Sequence, residues 1–309
     1  MKSGSNLEKV LAAGHFAVTG ECGPPRSAAD KEIRHKATFL KGNVDSVNMT
    51  DNQTSVVRMS SLAGSLILQQ EGCEANMQMV CRDRNRIAMQ SDIMGAYALG
   101  IRNLLCLSGD HQKFGDHPAA KNVFDLDSMQ LIQTVKMMRD ERKLLSGQQM
   151  EEGAEPRLFI GAAANPFADP FEWRVHRLAK KVEAGVDFVQ TQCIYNMPKF
   201  REFMKRVVDL GLHEKVYILA GVTPMKSLGM ARYMKNFVPG MDVPDDVIDR
   251  MKGAAKQDQA KTGKAIAGEQ IQEMREIKGV AGVHLMLIEW EEHVPELAKT
   301  AGLLPRPVV

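Results

Sequence analysis

The sequence predicts an α/β protein of the (β/α)₈, or TIM, barrel type. Two observations predict it. Short apolar runs alternate with amphipathic, helix-like stretches along the whole of the 309 residues. Most of these runs also end on a polar or charged residue. The run 16–20 meets Glu21, 45–50 meets Asp51, and 76–81 meets Arg82 and Asp83. Further on, 104–108 meets Gly109 and Asp110, 158–164 meets Asn165, and 187–191 meets Gln192. In a closed parallel barrel these tips converge on one mouth, where barrel enzymes carry their chemistry. A doubly wound open sheet uses the same alternation, and periodicity alone does not exclude it.

Taken in order, strand one is read at 16–19 and is followed by a helix over 27–40 with Ser27 as N-cap. Strand two (45–49) precedes a helix over 55–70, and strand three (76–81) a helix over 86–99 that Gly100 closes. Strand four (104–107) leads through a polar loop, 111–122, into a helix over 126–145, with 146–155 as a charged connector. Strand five (158–163) runs through Asn165 and Pro166 to a helix over 171–184, and strand six (188–191) to a helix over 198–210. Gly185 and Gly211 end those two helices. Strand seven (216–220) is followed by helices near 227–236, 245–253 and 260–277. The last strand (282–288) ends at Glu289, before a final helix near 295–301. No low-complexity or Pro/Ser/Gly-rich linker interrupts the series, so one barrel filling 1–309 is the economical organisation.

Composition narrows the function. Hydrophobic content of 44% and charged content of 25% are ordinary for a globular protein. A net charge of +2 with no basic block gives no case for nucleic acid. The five cysteines include no C-x-x-C and read as reduced thiols, and most of the 20 methionines as core fillers. Residues 1–11 carry Lys2, Glu8 and Lys9 and no apolar core of a signal peptide. No apolar run reaches the roughly 18 residues that a membrane helix needs. A cytoplasmic protein without membrane contact is expected.

Four stretches can carry chemistry, each with a plainer alternative. Glu21, between a buried strand and Gly23-Pro24-Pro25-Arg26, is held rigidly where it could donate a proton. It could equally be a strand-end carboxylate paired with Arg26. Asp110 follows Gly109, whose missing side chain lets a ligand approach the backbone, but Asp is also a common turn and cap residue. Cys81-Arg82-Asp83-Arg84-Asn85-Arg86 can hold phosphate and sugar hydroxyls or form a solvated ion-pair cluster. Gln192 offers a donor and an acceptor to a heterocycle, or satisfies buried backbone groups. The sequence has no G-x-G-x-x-G, G-x-x-x-x-G-K-[ST] or G-x-S-x-G, and no H-E-x-x-H or Cys/His set that predicts a metal.

Together these residues resemble the methylenetetrahydrofolate reductase family, and in register over nearly the whole chain. The shared features are Glu21 before Pro24-Pro25-Arg26, Gly109-Asp110, Lys181-Val182-Glu183-Ala184-Gly185, Thr191-Gln192, and Gly221 with Pro224. The stretch 81–109 is especially similar to short forms from anaerobes. The resemblance implies a flavin-bearing barrel that reduces 5,10-methylenetetrahydrofolate to 5-methyltetrahydrofolate by hydride transfer. Glu21 is then the general acid, Asp110 a carboxylate near flavin and pterin, and Gln192 a pterin-contacting amide. The cofactor set is Asn48, Gln78, Arg82, Asp83, Gly109, Asn165 and Lys181, with Gln78 standing where the family has a flavin-contacting histidine. FAD is expected ahead of FMN. The electron donor is NAD(P)H or a partner iron–sulfur subunit, a zinc subunit being another form of partner, and the protein is expected to be an oligomer. Two other readings stay open: a flavin-bearing electron-transfer subunit of a larger complex, and a flavin-free pterin-binding barrel enzyme.

Overall fold

The computed structural model describes residues 1–309. Its strands are β1 (Ala17–Cys22), β2 (Ser46–Met49), β3 (Ala75–Val80), β4 (Asn103–Leu107), β5 (Phe159–Ala164), β6 (Phe188–Cys193), β7 (Tyr217–Val222) and β8 (Val280–Leu285). They are joined in sequence order, and β8 pairs back onto β1 to close the ring. Every pairing is parallel. The closure removes the open-sheet alternative. The helices are α1 (Asn6–Ala12), α2 (Lys31–Leu40), α3 (Ser61–Gln70), α4 (Arg86–Ala98), α5 (Ser128–Asp140), α6 (Arg174–Ala184), α7 (Met197–Asp209), α8 (Leu228–Phe237), α9 (Asp245–Gly253), α10 (Gln259–Arg275) and α11 (Val294–Thr300). None is long and apolar enough to cross a membrane.

Alternation along the strands sorts side chains between the barrel axis and the helix layer. On the outer face Val18, Val47, Met77, Met79, Leu104 and Cys106 pack into the main core. Inside, the bottom storey is apolar. Ala17, Leu105, Phe159, Phe188 and Leu219 meet Leu7, Val10 and Leu11 of α1, which plugs the N-terminal end of the barrel. The Phe159 and Phe188 rings stack with centroids 5.1 Å apart. Phe188 requires Gly161 beside it, since a Cβ there would lie 2.3 Å from the ring. Full burial of each of the three α1 side chains is worth about 1.5–3 kcal/mol, which fastens a helix of only 7 residues.

Several boundaries differ from the sequence reading, each for a local reason. α1 was not anticipated; its short apolar face acquires meaning only against the barrel floor. Ser27 is not an N-cap. Its hydroxyl closes a local turn onto Ala29 N–H, and α2 starts at Lys31. The helix expected from residue 55 starts at Ser61, capped by Ser60, because Asn52, Thr54 and Ser55 take positive φ in a separate 3₁₀ turn. A capping box between Asp127 and Gln130 opens α5, and Arg142 at φ 57° ends it well before residue 145. β8 stops at Leu285; of the residues that follow, Met286 lines the cavity at the mouth and Leu287 turns into the main core.

Candidate active site

A cavity of about 360 Å³ opens at the C-terminal end of the strands. Its lining includes Glu21, Gln78, Asn165, Lys181 and Gln192, with Asn48, Gln190 and His284 in its floor. Glu21 is the only carboxylate among the lining residues. Arg26 does not pair with it and is bonded instead to Asp116.

Beneath Glu21 the middle storey of the barrel is polar, where barrels commonly stack branched aliphatics. Asn76 Nδ2 donates to Asn48 Oδ1 at 2.7 Å, and Asn48 Nδ2 donates to Gln190 Oε1 at 2.6 Å. Gln190 Nε2 donates to Thr19 Oγ1 at 3.0 Å and to Asn48 Oδ1 at 3.1 Å. Thr19 Oγ1 lies 2.9 Å from His284 Nδ1, and His284 Nε2 lies 3.6 Å from Glu21 Oε2. Register makes this contact: β1 and β8 pair with Thr19 opposite His284.

The opposite wall is cationic. Lys181, Arg174 and Arg177 project from α6 into the cavity, and none makes a salt bridge with a carboxylate. The Lys181 ammonium donates to the carbonyl of Ala163. Burial, reinforced by the nearby Arg177 charge, pulls its pKa down to about 8. A buried ammonium without a counter-ion is a place for an anionic group such as a phosphate; the exposed Arg177, and Arg174, whose guanidinium also donates to the carbonyls of Ala168 and Asp169, add positive charge beside it. Burial pushes the Cys22, Cys81 and Cys193 thiols up to about 12, which keeps them protonated. All five cysteines are free.

The site residues read from the sequence divide into two groups. Glu21, Asn48, Gln78, Asn165, Lys181 and Gln192 come together on the cavity. Gln192 Oε1 accepts the N–H of Cys193 at 3.1 Å, so the amide presents its N–H donors to the cavity rather than a mixed edge. Asn48 is fully buried, and both ends of its amide are engaged by Asn76 and Gln190. Asn165 Oδ1 caps the turn at Phe167 and Ala168.

Arg82, Asp83, Gly109 and Asp110 do not line this cavity and form a neighbouring bracket. The Arg82 guanidinium is the centre of that bracket. It donates to both Asp83 oxygens, to Ser55 Oγ and to the carbonyls of Asn52 and Asp110. All five N–H donors of Arg82 are thus engaged within the protein, which leaves none directed at a phosphate. Gly109 is glycine because its φ is 88° and because a Cβ there would press on Val80 at 3.0 Å. The Asp110 carboxylate is exposed and accepts the N–H of Thr54 at 3.2 Å.

Sequence reasoning passed over Thr19, Gln190, Arg174, Arg177 and His284. A signal for the arginines was present: Arg174, Arg177 and Lys181 recur at the spacing of one helix face.

Fold and site together define a closed parallel barrel with one carboxylic acid on one side of its mouth and uncompensated cations on the other. The family model described as Methylenetetrahydrofolate reductase matches residues 6–302. "Methylenetetrahydrofolate reductase 2" of Schizosaccharomyces pombe is 25% identical over 262 residues, which is 82% of this chain and 39% of that protein. "Probable methylenetetrahydrofolate reductase (NADPH)" of Caenorhabditis elegans is 22% identical over 258 residues, again 82% of this chain and 36% of that protein. Among solved structures, an uncharacterised protein from Clostridium thermocellum that binds two copies of 5-methyl-5,6,7,8-tetrahydrofolic acid shares the fold. It superimposes with a TM-score of 0.65 at 12% identity, over 97% of this chain and 99% of that one. The chain belongs to the methylenetetrahydrofolate reductase family. It spans under two fifths of the length of these two curated relatives.

Proposed function

We propose that the chain is a single flavin- and folate-binding domain that reduces 5,10-methylenetetrahydrofolate to 5-methyltetrahydrofolate. The observation that carries this reading, within the family, is Glu21 as the only carboxylate on a cavity whose far wall is cationic. Glu21 protonates a ring nitrogen of the folate, opening the one-carbon bridge and making its carbon electrophilic. A bound reduced flavin supplies the hydride. Lys181, with Arg174 and Arg177, holds the flavin's phosphate, the group for which their uncompensated charge is suited. Gln78 and Asn165 contribute polar contacts from the cavity wall, and Asn48 braces its floor. Gln192 donates to an acceptor on the pterin, and Asp110, carried by the Arg82–Asp83–Gly109 bracket, approaches from the adjacent rim. FAD is the proposed form, with NAD(P)H or a partner subunit as the source of electrons.

The test is the absorbance spectrum of the purified protein under nitrogen, before and after addition of 5-methyltetrahydrofolate. Bleaching of a bound flavin by the folate alone supports the reading, since the half-reaction is run in reverse without any other donor. A flavin that does not bleach favours an electron-transfer subunit. A folded protein that takes up neither FAD nor FMN favours a flavin-free enzyme. Mass analysis of the released cofactor separates FAD from FMN.

A further inference from the structure

We propose that His284 is the positioning residue of Glu21, a neutral imidazole that Thr19 locks in the Nε2–H tautomer. It aims that N–H at the carboxylate left when Glu21 gives up its proton. The inference rests on the reading of Glu21 as the acid.

The buried amides are placed with one polarity. Asn48 Oδ1 accepts from Asn76 Nδ2 and from Gln190 Nε2, and the Asn48 amide nitrogen faces Gln190 Oε1 at 2.6 Å. Gln190 is thereby fixed with its nitrogen toward Thr19 Oγ1, at 3.0 Å. Thr19 accepts that bond and keeps one proton to give. Its choices are His284 Nδ1 at 2.9 Å and the Val283 carbonyl at 3.5 Å. The ring nitrogen is much the better placed. Donation to Nδ1 leaves that nitrogen without a proton, and a neutral imidazole then carries its proton on Nε2.

Nε2 faces Glu21 Oε2 at 3.6 Å, and no other side chain or backbone group is hydrogen-bonded to the Glu21 carboxyl. The gap is one that a small rotation of the glutamate closes, and catalytic hydrogen bonds commonly tighten only in the loaded complex. His284 is 3% exposed and cannot swing away. During transfer the Glu21 O–H bond breaks, an N–H bond forms on the folate nitrogen, and the electron pair stays on the carboxylate. The His284 proton remains on Nε2 throughout and makes a charge-assisted hydrogen bond to the new anion.

Two measurements on the full chain test this. Nitrogen NMR of ¹⁵N-histidine-labelled protein reads the tautomer without any activity. The expected result is a neutral, Nε2-protonated ring in wild type and a mixture of tautomers in Thr19→Val; a Nδ1-protonated ring in wild type overturns the proposal. Stopped-flow reoxidation of the chemically reduced flavin by 5,10-methylenetetrahydrofolate, the direction in which Glu21 gives up its proton, reads the role. His284→Leu should slow the step by about 10–100-fold with folate affinity unchanged, the range lost when the hydrogen-bond partner that orients a metal-ligating side chain is removed. His284→Gln, whose amide nitrogen can replace Nε2–H, should recover most of the rate. Equal rates in wild type and His284→Leu, or no recovery in His284→Gln, overturn it while leaving the proposed function standing. A wild type with the Nε2–H tautomer whose reduced flavin the folate never reoxidises instead overturns the proposed function, and the role of His284 with it.

Discussion

Replacing Lys181 by methionine should make the ligand-free protein more stable and its hold on an anion weaker. The ammonium is buried, its charge faces Arg177, and its one acceptor is the neutral carbonyl of Ala163. The fall in its pKa from the ordinary 10.5 to about 8 corresponds to roughly 3 kcal/mol at about 1.36 kcal/mol per pH unit. Methionine fills a similar space without the charge but forfeits the bond to Ala163, worth about 1 kcal/mol. The net expectation at pH 7 is a variant about 2 kcal/mol more stable. The sign reverses with pH. Between about 8 and 10.5 the unfolded chain holds the lysine proton and the folded one does not, so wild-type stability rises with pH relative to the variant. The buried thiols Cys22, Cys81 and Cys193, pushed up to about 12, work the other way above pH 9 but equally in both proteins. Urea denaturation of both proteins across that range, without ligand, gives the difference directly. Inorganic pyrophosphate or flavin titrated into each should bind the variant more weakly, and wild type more weakly above pH 8. A variant less stable than wild type at pH 7, or a gap that does not narrow toward pH 10, would refute the claim of an uncompensated buried charge.

Three further substitutions probe the reaction end. Glu21→Gln keeps the shape of the side chain but has no proton to give, so folate-dependent turnover should fall about 10²–10⁴-fold with flavin and folate still bound; near-native turnover would make Glu21 a structural residue. Gln192→Ala should weaken 5-methyltetrahydrofolate binding by roughly 1–3 kcal/mol, the cost of a buried acceptor left unmatched, with the flavin spectrum unchanged; unaltered affinity in a titration would move the pterin elsewhere. Asp110→Asn removes an exposed negative charge without disturbing the Arg82 bracket, which uses the Asp110 carbonyl. It should lower folate affinity and shift the flavin's midpoint potential, and a protein unchanged in both would exclude Asp110 from the site.

The barrel was legible because a parallel strand buried on both faces reads as a short apolar run, and its polar C-terminal tip stands out against that run. Glu21, Asn165 and Gln192 are such tips, and all three reach the cavity. His284 was hidden for the same reason. It sits inside the apolar run Val283 to Ile288, and only the register that sets it opposite Thr19 turns it from a core residue into a neighbour of Glu21. Arg82 is the opposite case. Its neighbours in sequence look like a phosphate cradle, but Asn52, Ser55 and Asp110 come from two other loops, and only their convergence uses up its donors. Spacing reveals which residues share a face; it does not reveal which donors are already spent.

The two ends of the cavity are held by different means, and the difference follows from what each must do. β1, which carries Glu21, and β5, which leads into the cationic helix α6, stand opposite each other in the eight-strand ring. A ligand that meets both Glu21 and Lys181 therefore crosses the mouth of the barrel. At the α6 end the requirement is charge alone, and a lysine and two arginines on one helix face meet it without a counter-ion. At the β1 end, with Glu21 as the proposed acid, the requirement is direction, since a proton would leave one oxygen toward one atom. Direction is expensive to build from amides, because each buried donor or acceptor left unpaired costs about 1–3 kcal/mol. Asn76 Oδ1 and Asn103 Oδ1 are two that lack partners. The apolar floor below, with α1 driven into it, supplies stability that the polar storey does not. Stacked in this order, an apolar plug carries a layer of oriented amides, and that layer in turn aims an imidazole at a carboxylate on the rim.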